Sequence, residues 1–188
     1  MEKSDDKLIF EYLQGNKDAF NIIVTRHLKS VLNFAYRVTG SRDDAEDISQ
    51  ETFLKLWKNL KNFDPTKKFR TWLFTIARNS ATDLLRKRRG INFSDLENED
   101  GKNPIESLLI DDSPIPEELL IRAERKKSLD KLLAKLSPIY RELLLLRYTE
   151  DFNFEEIAHI LQKPSATIRT QHKRAITKLR TLLADETI

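Results

Sequence analysis

Few side chains of this 188-residue chain are placed to make or break bonds. It has no cysteine, which excludes disulfides, thiolate metal sites and a Cys nucleophile. Its histidines, His27, His159 and His172, lie far apart and, with no Cys beside them, suggest no zinc site. There is no glycine-rich phosphate loop, no G-x-S-x-G and no H-E-x-x-H. The expectation is a protein that is not an enzyme and needs neither metal nor cofactor. The chemistry on offer is recognition. Between Lys67 and Arg89 stand eight basic residues and one acid, interleaved with Phe69 and Trp72 and preceded by Phe63. Basic groups hold phosphates, and aromatic faces stack on unpaired bases at ~1–3 kcal/mol per base. From Pro164 to Ala184 there is no acid at all. Arg169, Thr170, Lys173, Arg174 and Thr177 fall there on one side of a helix. Arg reads guanine bidentately, while Lys and Thr hold phosphates or base edges.

These residues need helices to position them. Four glycines and three valines are few for a sheet protein, and Leu, Lys, Arg, Glu and Ala favour helix. The class is all-α. A first helix is expected over Asp5 to Leu13. A second runs from about Asp18 to Val38, with Phe20, Ile23, Val24, Leu28, Val31, Leu32 and Ala35 inward, and stops at Gly40. Ser41 and Asp44 resemble a capping box opening a third helix, Asp43 to about Lys61. At about 100° per residue, Ala45, Ile48, Thr52, Phe53, Leu56 and Leu60 form its core face. Asp47, Gln50, Glu51 and Leu54 lie elsewhere, with Trp57 at the boundary. An apolar Leu54 ringed by polar groups reads as a contact patch or as an isolated surface leucine.

A loop over 62–69 leads to a fourth helix, about Arg70 to Arg88, with Leu73, Ile76, Ala77 and Leu84 inward. A separate stripe carries Trp72, Thr75, Asn79, Asp83 and Arg86. Phe69 suits core and contact equally, whereas Trp72 stands off the core stripe. Further on, a helix is expected from Pro116 to about Lys135, and Ser137-Pro138 opens another reaching Tyr148. Asn153 with Glu156 is a second capping box, before a short helix, Phe154 to Leu161. A tight turn then leads to a long basic helix ending near Ala184, the pattern of a helix-turn-helix. Its apolar face is Ile168, Ala175, Ile176, Leu179, Leu182 and Leu183, with His172 at the margin.

Charge divides the chain. Residues 1–89 carry a net +6, residues 90–118 a net −8 and residues 119–188 a net +5, which together make the overall +3. The middle block holds Gly90, Gly101, Pro104, Pro114 and Pro116 and reads as an acidic linker between two small helical domains. Two basic domains on an acidic tether suggest two contacts with nucleic acid. The first residues carry no apolar run after their charges, and nothing approaches a ~20-residue apolar span. A cytoplasmic protein with no membrane insertion of its own is expected.

The residues resemble those of bacterial RNA polymerase sigma factors of the small extracytoplasmic-function type. Asp44-Ala45-Glu46-Asp47-Ile48 through Gln50-Glu51, Phe53, Leu54 and Trp57 is similar to the family's core-polymerase-binding helix. Phe69-Arg70-Thr71-Trp72-Leu73, then Ile76-Ala77-Arg78-Asn79 and Asp83, resembles its melting and minus-ten-reading helix. Leu136-Ser137-Pro138, Leu146-Arg147-Tyr148, Glu156-Ile157-Ala158 and Thr167-Ile168-Arg169 resemble its minus-thirty-five-reading domain. The resemblance implies core RNA polymerase as a partner, held by Asp47, Gln50, Glu51, Phe53, Leu54 and Trp57. It implies promoter DNA, as duplex and as melted non-template strand. Phe63, Lys67, Lys68, Phe69, Arg70, Trp72, Arg78, Asn79, Asp83 and Arg86 would meet it at minus ten. Arg169, Thr170, Gln171, Lys173 and Arg174 would meet it at minus thirty-five, with Arg169 and Arg174 the candidates for base edges. An anti-sigma inhibitor is implied as well. Ala166, Gln171 and His172 depart from the family's usual residues. A stand-alone helix-turn-helix regulator of duplex operator DNA is the alternative, and it leaves the Leu54 patch idle. An adaptor that binds helices and no DNA leaves the acid-free last helix unexplained.

Overall fold

The structure, a computed structural model, describes residues 3–89 and 130–185. The expected acidic linker at 90–118 and most of the helix expected after Pro116 lie outside the described residues. All regular structure among the described residues is helical. Helix α1 spans Asp5–Leu13, α2 Lys17–Thr39, α3 Arg42–Asn59 and α4 Phe69–Arg89, with a short 3-10 turn, Leu60–Asn62, after α3. After a helical stretch over 130–134 come α5, Pro138–Tyr148, α6, Phe154–Leu161, and α7, Ser165–Asp185.

The ends follow from local chemistry. Ser4, Asn16 and Ser41 each accept a backbone N–H from the first turn of α1, α2 and α3. Gly40 ends α2 at φ +74°, its N–H bonding the Tyr36 carbonyl at 2.7 Å. The capping box expected at Ser41 is one-sided: Ser41 Oγ accepts from Asp44 N at 3.3 Å. At α6 the box is complete, with Asn153 Oδ1 accepting from Glu156 N at 3.0 Å and Asn153 N donating to Glu156 Oε2 at 2.8 Å. Ser137 precedes Pro138 as expected, but its side chain caps nothing. Buried Arg141 instead donates to the carbonyls of Leu133, Ala134 and Leu136, closing the preceding helical stretch.

Helices α1 to α4 enclose one core, in which Leu8, Ile23, Phe34, Ile48, Leu56 and Leu73 are fully buried. The expected core face of α3 is buried throughout. Leu28 of α2 and Leu183 of α7, expected inward, are exposed at 42% and 46%. Each sits at the edge of a stripe whose centre already fills the available space. Among the described side chains of α7 only Ile168 and Ala175 are fully buried, because two short helices cover no more of it.

Helix α4 departs most from its expected pattern. Besides Leu73 and Ala77, Phe74 and Ala81 are fully buried, while Ile76 and Leu84 are only half-buried. The reason is a second neighbour. The C-terminal helices pack on α4 through α6, and α5 packs on α2. The Phe74 ring meets Phe34 of the N-terminal bundle at 5.5 Å and Phe152 of the C-terminal half at 5.1 Å, both edge-on. Truncation there opens a cavity in both halves at once, so Phe74→Ala should destabilise the chain by ~3–5 kcal/mol. Exposed Leu54→Ala should stay within about 0.5 kcal/mol. Urea unfolding of the two variants measures both.

Candidate nucleic-acid interface

The α3 patch is solvent-facing. Asp47, Gln50 and Glu51 are exposed, Leu54 is 43% exposed and Trp57 51%. Asp47, Gln50, Glu51 and Leu54 line one wall of a groove. Ser80, Asp83, Leu84 and Lys87 of α4 line the other. Lys55 bridges the walls, 3.5 Å from Glu51 and 3.9 Å from Asp83, with its ammonium donating to Ser80 Oγ at 3.1 Å. Two members of the expected sets move. Phe53 is buried, 8% exposed, on the core face its helical angle predicts, and so offers no contact to a partner. Asp83 lines this groove and pairs with Lys55 and with Arg86.

The loop before α4 folds its aromatics together. Trp72 stacks on Phe63 with ring centroids 5.0 Å apart. Phe69 packs edge-on beneath both, at 5.8 and 6.2 Å. Phe69 itself is 3% exposed, its ring 5.6 Å from that of buried His27. It is therefore a core residue, with its side chain turned away from any strand. Nε2 of His27 is 2.9 Å from Asp5 Oδ2, and Arg26 pairs with the same carboxylate. Burial works to raise the Asp5 carboxyl, but His27 and Arg26 together hold it below the usual range. Phe63 and Trp72 remain half-buried, and Lys67 and Arg86 exposed. Asn79 is half-buried on the same helix.

Three other cations of the minus-ten set face protein. Lys68 Nζ is 2.7 Å from Glu156 Oε1. Arg70 Nη2 is 2.7 Å from Glu150 Oε2, its guanidinium 4.8 Å above the Phe152 ring. Arg78 Nε is 3.8 Å from Glu142 Oε2. Positions 70, 74 and 78 form one helical stripe, and the C-terminal half covers it. Sequence reasoning missed Glu142, Glu150, Glu156 and Phe152 as neighbours of α4. The usable signal was the spacing Arg70, Phe74, Arg78, a second face on a helix that already had a core stripe. Glu142 is fully buried. Burial pushes its carboxyl up to about 7, against the pull of Arg78, Arg141 and Lys163. Burial likewise raises Glu150, with Arg70 opposing. At Glu156 burial is overcome by Lys68 and the Asn153 N–H, and the carboxyl stays low.

On α7, Lys173 and Arg174 are exposed and project from the face opposite Ile168 and Ala175. Arg169 is turned back. Nη2 lies 3.3 Å from Glu155 Oε1 and the guanidinium 5.9 Å from the Phe154 ring, which makes it a weaker candidate for base edges than Arg174. Thr170 Oγ1 donates to the Ala166 carbonyl. Gln171 is half-buried, with its Oε1 enclosed, and so leaves the reading face. His172 is half-buried at the margin, as expected, with Nε2 2.9 Å from Tyr148 Oη and its ring 5.1 Å from Phe154. No cluster able to hold a metal ion occurs among the described residues.

Residues 23–91 match the family described as Sigma-70 region 2, and residues 126–179 the family described as Sigma-70, region 4. The chain is similar to the ECF RNA polymerase sigma factor SigW of Bacillus subtilis (strain 168), 32% identical over 186 residues, covering 98% of this chain and 100% of the relative. It is 30% identical over 175 residues to the RNA polymerase sigma-H factor of Pseudomonas aeruginosa, covering 93% of this chain and 91% of that one. Among solved structures it resembles CnrH in complex with the cytosolic domain of CnrY, with TM-score 0.70, 27% identity and 97% and 99% of the two chains covered. It also resembles the sigma factor RpoE in complex with the anti-sigma factor NepR from Bartonella quintana, with TM-score 0.67, 29% identity and 88% and 96% covered.

Glu142 gives a pH signature with a definite sign. Its carboxyl titrates near 7 in the fold and near 4.5 in the unfolded chain. Below 4.5 both states are protonated and burial of the acid carries no ionic penalty. The penalty grows through the window and is complete above about 7. Glu142→Gln has no such titration, so its stability relative to the parent protein should rise between those values and then level. Urea midpoints of both proteins across the window check this, and a pH-independent difference would contradict it.

Proposed function

The chain belongs to the extracytoplasmic-function group of sigma-70 factors, and we propose that it meets polymerase and promoter through three separate surfaces. Sigma factors of this group direct RNA polymerase to promoters, and so does this chain. The exposed wall of α3, with Leu54 among Asp47, Gln50 and Glu51 and with Trp57 beside it, docks on core polymerase. The Phe63–Trp72 stack and the cations Lys67, Lys68, Arg70, Arg78 and Arg86, with Asn79, take the minus-ten element and its melted non-template strand. The face of α7 carrying Arg174, Lys173, Thr170 and Arg169 takes the minus-thirty-five element in the major groove. Several family relatives, including the Bartonella one, are known as partners of anti-sigma factors or as sigma factors in name. An anti-sigma inhibitor is part of the same reading.

No catalysis is required of the chain. Opening duplex DNA costs ~1.4 kcal/mol per base step in lost stacking. A protein that traps an unpaired base beside an aromatic face binds the open form better than the closed one and shifts the population toward it. Polymerase performs the bond-forming step, so the chain works where polymerase works, in the cytoplasm. No helix among the described residues is long and apolar enough to cross a membrane.

The observation that carries the docking assignment is Leu54, 43% exposed in the wall of the α3–α4 groove among the described residues. Leu54→Arg should leave helicity and urea stability unchanged and abolish both co-purification with core polymerase and promoter-dependent transcription. Retention of polymerase by the folded variant would refute the assignment. On α7, Lys173→Ala should weaken all promoters alike and flatten the salt slope by about one unit. Arg174→Ala should cost ~1–3 kcal/mol and relax preference at one upstream position. Binding to a library randomised in the upstream element, at two salt concentrations, separates the two.

A further inference from the structure

An acid of α6, Glu155, stands against the acid-free reading helix. Its Oε1 accepts from Ser165 Oγ at 2.6 Å and lies 3.3 Å from Arg169 Nη2. Ser165 and Arg169 are one turn apart, so both fall on one edge of α7. Phe154, the residue before Glu155, sets its ring 5.9 Å from the same guanidinium. Consecutive side chains of α6 thus hold Arg169 together. Their own placement is firm, because the capping box of Asn153 and Glu156 fixes the turn that carries both. The Ser165 hydroxyl, with Arg169 and His159 adding to it, keeps the Glu155 carboxyl below the usual range. The group is therefore a carboxylate at neutral pH.

A negative group beside a DNA-reading helix has an effect with a definite sign. An unaccompanied Arg at the edge of the groove meets a phosphate on any sequence, and such contacts carry no sequence information. A phosphate drawn to Arg169 also meets the Glu155 carboxylate, which repels it. A base edge is neutral and is not repelled. One guanidinium nitrogen, Nη2, is engaged by Glu155, and an Arg has five N–H donors, so donors remain for a base edge. We propose that Glu155 is a positioning residue that sets specificity in the minus-thirty-five domain: it withholds Arg169 from strand phosphates, so that this guanidinium adds to sequence preference and little to general DNA affinity. This rests on the reading of α7 as the major-groove helix. Lys173, exposed on the same helix, supplies the general phosphate contact. Both members of the Glu155–Arg169 pair are exposed, so the restraint is modest and is screened by salt.

Glu155→Gln keeps an acceptor for Ser165 and removes the charge. Holoenzyme assembled from the full chain and core RNA polymerase is compared on two duplexes. One is a promoter selected from the library randomised in the upstream element, the other an unrelated sequence. With Glu155→Gln, affinity for the unrelated duplex should rise, by a factor about three- to fourfold larger at 50 mM than at 200 mM salt, as one added phosphate contact requires. The ratio of promoter to unrelated affinity should fall. Arg169→Ala should cost more affinity for the unrelated duplex in the Glu155→Gln background than in the parent, because only there is the guanidinium released to phosphate. Ser165→Ala, which loosens the carboxylate, should act in the same direction by less, and it keeps the test standing if Glu155→Gln lowers helicity. An equal cost of Arg169→Ala in both backgrounds, with unchanged salt dependence, would overturn the proposal while Lys173→Ala still flattens the slope. If Lys173→Ala leaves the slope unchanged as well, the reading of α7 falls with it.

Discussion

Two-sided packing of α4 is the constraint on which the remaining geometry depends. Its Leu73 and Ala77 face completes the N-terminal core, while Phe74 makes a second contact, with Phe152, beside the packing of α6 on α4. A helix buried on two sides has little surface left, and its polar residues are sorted accordingly. Trp72 goes to the Phe63 stack, Asp83 and Lys87 go to the α3 groove, and Arg70 and Arg78 go to the seam between the halves. Two of the three candidate surfaces, the α3 groove and the Phe63–Trp72 stack, are thus sides of one helix and its neighbours. A shift of α4 of a few ångströms would disturb both.

One aromatic pair sits at the centre of the seam, and the flanking contacts are ion pairs of differing burial. Exposed pairs of this kind contribute little each. The buried one at Glu142 works against itself, because its desolvation outweighs the attraction of three nearby cations. An interface so composed specifies an arrangement better than it stabilises one.

Helix positions were legible because their ends carry short-range chemistry. Ser41 and Asn153 cap where side-chain oxygens were expected, and Gly40 stops α2 in the left-handed region. The α3 patch was legible for a related reason. A residue opposite a well-filled core stripe has nowhere to go but outward, which is where Leu54 is found. Phe53 illustrates the converse: the residue-by-residue reading already placed it on the core face, and only the family pattern suggested a contact. The seam was not legible. Helical periodicity reports how one helix meets its own neighbours in sequence, and Phe74 and Phe152 meet although 77 residues separate them in the chain. Nor does it report side-chain direction at the margin of a stripe, which is why Gln171 turns inward and Arg169 folds back on Glu155.

Glu156 holds two posts at once. One carboxylate oxygen accepts the Asn153 N–H that begins α6, and the other accepts the Lys68 ammonium across the seam. Loss of the second bond leaves the first in place. The cap that begins the helix-turn-helix is thus independent of the neighbouring half, and Lys68 can change without unwinding the first turn of α6.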